Sequence, residues 1–280
     1  MDIKRIAILG SGSMGTAILS GLLASGFDSA AVTVSTKSKA SADKLADQLG
    51  VLAYSLEADS DANASANIKA VRGADVVLVA VKPGYVVETL REVSADLVGG
   101  ALVISVAAGI TTKSMQDALP HGVRVVRAMP NTPAIVGRAV TGIAPGAEAT
   151  EADLNRAIEL FETVGSVAVI DESQIDALST ISGSGPAYVF YFMEQLTAAA
   201  IHHGFTHEQA DLLVQQTFLG AAELVLATGS EPAQLRRQVT SPNGTTERAI
   251  ATFDEAKLRD VFIAATEAAL ARAREIAAGA

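Results

Sequence analysis

Short, continuously apolar runs recur through the first half of the chain, at Ile3–Leu9, Val32–Ser35, Val51–Tyr54, Val76–Val81, Leu102–Val106 and Val123–Ala128. The runs at 76–81 and 102–106 are unbroken by polar alternation, as central parallel strands covered on both faces require. Between the runs, apolar positions recur with helical spacing over 16–23, 40–49, 85–96 and 112–119. Strands alternating with helices in this order predict a doubly wound parallel sheet built from βαβ units. Two further β-like runs, Ala139–Ala144 and Ser166–Ile170, flank a helical stretch over 151–164 and extend the same sheet. An acidic, small-residue stretch, Glu57–Asn67, reads as a solvated loop ahead of a helix.

After Ile170 the pattern changes, and only helices follow: Ala187–His203, His207–Thr228 and Leu258–Ala278. These segments are apolar on more than one face, which predicts burial between helices or against a second subunit. A self-contained bundle in a monomer is the alternative. The expected division is an α/β domain over residues 1–170 and an all-α domain over 171–280.

Composition narrows the function. The net charge of −10 argues against nucleic acid or an anionic membrane as partner, since both want basic surface. With no cysteine in the chain, disulfides, thiolate catalysis and cysteine-ligated metals are excluded. The four histidines, His121, His202, His203 and His207, lack metal-ligand spacing, so no metal site is expected. Met1-Asp-Ile-Lys-Arg runs directly into a strand without a secretory h-region. Apolar stretches such as 101–108 fall short of the roughly 20 residues of a spanning helix. A cytoplasmic location is the expectation.

Gly10-Ser11-Gly12-Ser13-Met14-Gly15 follows the first strand and opens the first helix. In such a unit Gly10 permits the tight turn, Gly12 lets backbone N–H groups approach a pyrophosphate, and Gly15 lets the helix pack closely. The second strand then ends in Ser35-Thr36-Lys37-Ser38-Lys39, with hydroxyls and lysines where an NAD site usually carries a carboxylate. That favours NADP(H) over NAD(H), although Lys37 and Lys39 also read as ordinary solvated charges at a helix start. Ala80-Val81-Lys82-Pro83 and Ala107-Ala108-Gly109 end the next strands, at the carboxyl edge where such folds bind ligands.

In the helical half, Ser182-Gly-Ser-Gly-Pro-Ala-Tyr188 opens a long helix, and Val239-Thr-Ser-Pro-Asn-Gly-Thr-Thr246 lies between two helical segments. Pro242 suits a first helical turn, and Gly244-Thr245-Thr246 would offer free N–H groups to a carboxylate. Read from chemistry alone, the stretch is equally an N-cap followed by a turn.

Taken together, the glycine loop, Ala80-Val-Lys-Pro83, Arg127-Ala-Met-Pro-Asn-Thr-Pro133, Asp176-Ala with Ser182–Tyr188, and Thr240-Ser-Pro-Asn-Gly-Thr-Thr246 resemble pyrroline-5-carboxylate reductase. The resemblance runs in order over nearly the whole chain. It implies a Rossmann-type sheet followed by an all-α dimerisation domain that interlocks with a partner, in homodimers that gather into decamers. The implied activity is NAD(P)H-dependent reduction of the cyclic imine 1-pyrroline-5-carboxylate to L-proline. Carried over by motif, Ser241, Gly244 and Thr245 would hold the substrate carboxylate, and the Thr246 hydroxyl would bond the ring nitrogen. Two departures stand out: Asn243 replaces a glycine usual in that motif, and the Glu57–Asn67 loop is longer than usual. Asn tolerates a left-handed backbone better than most residues. Rival readings are another NADP-dependent imine or β-hydroxyacid reductase, and a non-catalytic NADP-binding sensor. The β-hydroxyacid enzymes would bring a catalytic lysine, and there is none between Asp171 and Ala256.

Overall fold

The computed structural model describes residues 2–58 and 65–277. It divides into two compact units, residues 1–184 with 270–280, and residues 185–269. The first is built on one eight-stranded sheet of order β3-β2-β1-β4-β5-β6-β7-β8. Its strands are β1 (Ile6–Leu9), β2 (Val32–Thr36), β3 (Leu52–Ser55), β4 (Val76–Val79), β5 (Leu102–Ser105), β6 (Arg124–Met129), β7 (Ala139–Pro145) and β8 (Gly165–Val169). Each corresponds to an expected run.

Pairing is parallel from β3 through to β6 and again between β7 and β8. The β6–β7 pair is antiparallel, with Met129 opposite Gly142, a direction the apolar pattern left open. The cause is the connection. A parallel return needs a long crossover, and residues 130–138 provide only a short 3₁₀ turn at Thr132–Val136.

Helices α1 (Ser13–Ala24), α2 (Lys39–Leu49), α3 (Ala66–Val71), α4 (Val86–Val93), α5 (Thr112–Gln116) and α6 (Glu151–Glu162) accompany the strands. Alternate strand residues feed two separate cores. Ile6, Ile8, Val34, Leu78 and Ile104 join Ile18, Leu22, Leu160 and Phe161 in one. Ala7, Leu9, Val77, Val79 and Val103 join Leu90, Val93 and Met115 in the other. A two-residue period with both faces buried is why these strands read as unbroken apolar runs.

The Glu57–Asn67 loop is shorter than its composition suggested. Residues 59–64 lie outside the described residues, Ser65 caps α3 by accepting from Ile68 N–H, and Asn67 is buried within the helix.

Past β8 come α7 (Ile175–Leu178) and a π-helical turn over Ser179–Gly183, then α8 (Gly185–His202), α9 (His207–Thr228), α10 (Pro232–Gln238), α11 (Thr245–Glu255) and α12 (Leu258–Ala277). In the second unit only Ala210 and Val214 are fully buried among the described residues. Phe190, Tyr191, Leu224, Leu226, Phe253 and Ile263 are exposed, so these helices have far more apolar surface than one another can cover. A groove of about 450 Å³ beside α8 and α9 is lined by Phe190, Met193, Ile201, His207 and Asp211, with none of the expected site residues. By length and composition α9 is also long and apolar enough to cross a membrane, which the sequence pattern had not picked out.

Candidate functional site

Sheet order places the ends of β2, β1, β4 and β5 side by side, and four of the expected stretches meet there. Gly10 N–H donates to the Ser35 carbonyl at 3.0 Å. With φ +95, Gly10 occupies left-handed space, and a Cβ on it would sit 2.9 Å from the Ala80 backbone. The loop is thus wedged between the ends of β2 and β4. A Cβ on Gly15 would fall 2.3 Å from the Gly10 carbonyl oxygen, whereas one on Gly12 would meet nothing within 4 Å. Gly10 and Gly15 are required by the protein's own packing. The space at Gly12 is left for something else.

Gly12 is the N-cap of the 12-residue α1 and makes no side-chain cap. The amides of Ser13, Met14 and Gly15, the first of the helix, have no partner among the described residues, and Thr16 N–H is the first to find one, at Gly12 O. Met14 packs its side chain against the core, so only its backbone is available. Free amides at a helix start with an unobstructed approach fit the pyrophosphate of a dinucleotide.

The end of β2 is less open than its hydroxyls suggested. Ser35 is buried, and its hydroxyl donates to Asn67 Oδ1 at 2.6 Å. Asn67 Nδ2 in turn donates to Glu92 at 2.8 Å, and the Ser65 hydroxyl donates to the same carboxylate. Thr36 is also buried and donates to Ser38 O at 2.8 Å. Lys39 is paired with Asp43 at 2.7 Å. Lys37 is exposed and has no partner among the described residues, so it is the free cation of this corner. Ala80 and Val81 are half-buried, Lys82 and Pro83 are exposed, and Ala107 is buried with its N–H donating to Ser105 Oγ at 3.2 Å.

Two buried side chains at β6 went unnoticed as individual residues. Arg127 is 4% exposed and donates to Asp176 at 2.8 Å, with Glu172 at 3.6 Å. Glu172 also accepts from both N–H and hydroxyl of Thr112 at 2.6 Å. Asn131 donates to Ser182 O and accepts from Val140 N–H, both at 2.9 Å. These contacts fasten α7 and the π-helical turn to the end of β6. The sequence carried them inside the Arg127–Pro133 motif of the family resemblance, but nothing in it assigned either side chain a role.

In the second unit, Ser241-Pro-Asn-Gly244 forms a turn closed by Gly244 N–H to Ser241 O at 2.9 Å. Pro242 therefore occupies the corner of that turn and not the first turn of α11, which starts at Thr245. Asn243 has φ 57, the left-handed value that the position after such a proline needs, so its substitution for glycine is accommodated. The turn also corrects the donor set: Gly244 N–H is consumed, and the free amides begin at Thr245. Gly244 contributes shape, because a Cβ on it would lie 2.9 Å from Ser241 O.

Thr217, Thr228, Thr240, Thr252 and Thr266 each donate their hydroxyl to a carbonyl of the preceding turn. Thr245 and Thr246 make no such bond, and Thr246 is half-buried. Both hydroxyl and amide are therefore available at the start of α11. An anion at the turn and a neutral donor beside it is what this end can hold.

A family model described as pyrroline-5-carboxylate reductase dimerisation matches residues 172–276, and one described as NADP oxidoreductase, coenzyme F420-dependent, matches residues 5–109. A pyrroline-5-carboxylate reductase of Vibrio alginolyticus is 40% identical, over 99% of this chain and 98% of the relative. The solved structure of a Coxiella burnetii pyrroline-5-carboxylate reductase is similar at TM-score 0.90 and 39% identity, covering 97% of this chain and 98% of that one. A Plasmodium falciparum pyrroline carboxylate reductase solved with NADP bound shares the fold at TM-score 0.82 and 24% identity, covering 99% and 98%.

Proposed function

Because this chain belongs to the pyrroline-5-carboxylate reductase family, we propose which of its residues carry the reaction. The chain reduces 1-pyrroline-5-carboxylate to L-proline, the last step of proline biosynthesis, and uses NADP(H). The carrying observation for the site is the helix start at Thr245, whose free amides and unbonded hydroxyls directly follow a proline turn.

In this reading the Ser241 hydroxyl and the Thr245 amide and hydroxyl hold the substrate carboxylate, with Gly244 giving the carboxylate room. The Thr246 hydroxyl bonds the ring nitrogen and keeps its proton in place while a hydride adds to the imine carbon. A protonated imine is already electrophilic, so positioning serves it better than a strong acid. When bound, NADPH supplies the hydride. The amides of Ser11, Gly12, Ser13, Met14 and Gly15 would hold its pyrophosphate, Lys37 its 2′-phosphate, and the backbone at Ala80–Pro83 and Ala107 would border the nicotinamide end. Ser35 and Thr36 shape that corner through their buried bonds.

The test is loss of nicotinamide absorbance with pyrroline-5-carboxylate, run with NADPH and with NADH. Rapid oxidation with NADPH is expected. One charge-assisted phosphate contact is worth about 1.5 kcal/mol or more, so Lys37→Ala should weaken NADPH about tenfold and leave NADH within about twofold. Equal losses for both cofactors would remove Lys37 from the phosphate site.

We place the boundary between the cofactor and helical domains at 170/171, next to the start of the dimerisation match at residue 172, although residues 171–184 pack with the first compact unit. The bare faces of α8, α9 and α12 serve subunit contact and not lipid or nucleic acid, and the enzyme works in the cytoplasm. Dimers gather further into a decamer, so light scattering should return about ten times the 28.7 kDa chain mass. A mass of two chains at working concentration would limit the assembly to the dimer.

A further inference from the structure

We propose that Glu247 is a positioning residue for the substrate, holding the Ser241–Gly244 turn in the shape that presents Ser241 and Thr245 to the substrate carboxylate. This rests on the assignment of that turn to the substrate carboxylate. Asn243 sits at φ 57, a conformation that glycine adopts freely and asparagine adopts at some cost. The turn is exposed at Ser241, Pro242 and Asn243, so core packing does not impose that shape. Two bonds do. Gly244 N–H reaches Ser241 O at 2.9 Å, and Asn243 N–H donates to Glu247 Oε2 at 2.8 Å. Among the described residues no other side chain bonds the turn.

Glu247 is the third residue of α11, where a carboxylate ordinarily reaches back to the N-cap amide. Here that cap is Gly244, whose amide is already spent on Ser241, and the carboxylate reaches one residue further to Asn243. The negative charge is favoured at a helix start, yet it also stands beside the turn assigned to another carboxylate. Between exposed charges in water the repulsion is weak, so the ordering of the turn outweighs it. The two effects have opposite signs, which makes them separable.

The experiment uses the purified full-length enzyme. Loss of preorganisation should raise the KM for pyrroline-5-carboxylate about five- to tenfold in Glu247→Ala, with kcat within about twofold. Glu247→Gln keeps an acceptor oxygen and should recover most of that loss. Hydrogen exchange across residues 241–247, measured without substrate, should quicken in Glu247→Ala and much less in Glu247→Gln. A KM that is unchanged or lower in Glu247→Ala, with Ser241→Ala raising it, overturns the proposal. If Ser241→Ala itself leaves KM unmoved while exchange quickens in Glu247→Ala, the carboxylate assignment is what fails.

Discussion

Replacing Thr246 by alanine is expected to lower kcat about 10²-fold, the scale of one donor whose bond strengthens in the transition state. NADPH binding, followed by fluorescence titration, should be unaffected. The expectation is specific because the hydroxyl is idle in the fold: it gives no bond to its own helix, unlike Thr240 and Thr252 nearby. Its removal leaves no internal partner unsatisfied, so stability should hardly change and a loss of turnover reports on the substrate alone. Thr246→Ser keeps the hydroxyl and should restore most of the rate. A kcat unchanged in the alanine variant would take Thr246 out of the mechanism.

A second large effect separates two glycines of one loop. Gly12→Val should fold with a loss of about 1 kcal/mol or less, the cost of an apolar N-cap, since its Cβ would meet nothing within 4 Å. Its branched side chain would nonetheless stand before the amides at the start of α1. Losing one or two charge-assisted phosphate bonds, at about 1.5–3 kcal/mol each, should weaken NADPH about 10²-fold. Gly15→Ala should do the reverse. Its methyl would lie 2.3 Å from the Gly10 carbonyl oxygen, and forcing a contact of that kind costs about 1–3 kcal/mol of stability. Melting curves with and without NADPH distinguish the two. If both variants melt alike and bind alike, Gly12 has no role at the phosphate.

Much of this was readable beforehand because the deciding forces are local. The glycine loop declares itself through a strand before and a helix after, and the burial of Ile6–Leu9 on both faces of the sheet is written in four consecutive apolar letters. The reversed strand β7 was not readable from apolarity, since a strand's period is the same in either direction; only the length of the link from Met129 to Ala139 distinguishes them. Ser35 misled for a related reason. A hydroxyl at a strand end looks free until its partner is known, and that partner, Asn67, is distant in sequence and was taken for loop. The role of Gly244 was half legible. Its place before a helical segment marked a turn, but whether its amide was spent depended on how Pro242 bent the chain.

The uncovered apolar faces of α8, α9 and α12 make abundance a component of folding. If those faces are satisfied only by a second copy, unfolding also separates the pair, and each tenfold dilution lowers the dimer's apparent stability by about 1.4 kcal/mol. A cell that synthesises little of this chain therefore holds each molecule less firmly than one that synthesises much. A substitution harmless at high expression can then unfold the enzyme at low expression, with no change in its sequence or its solvent.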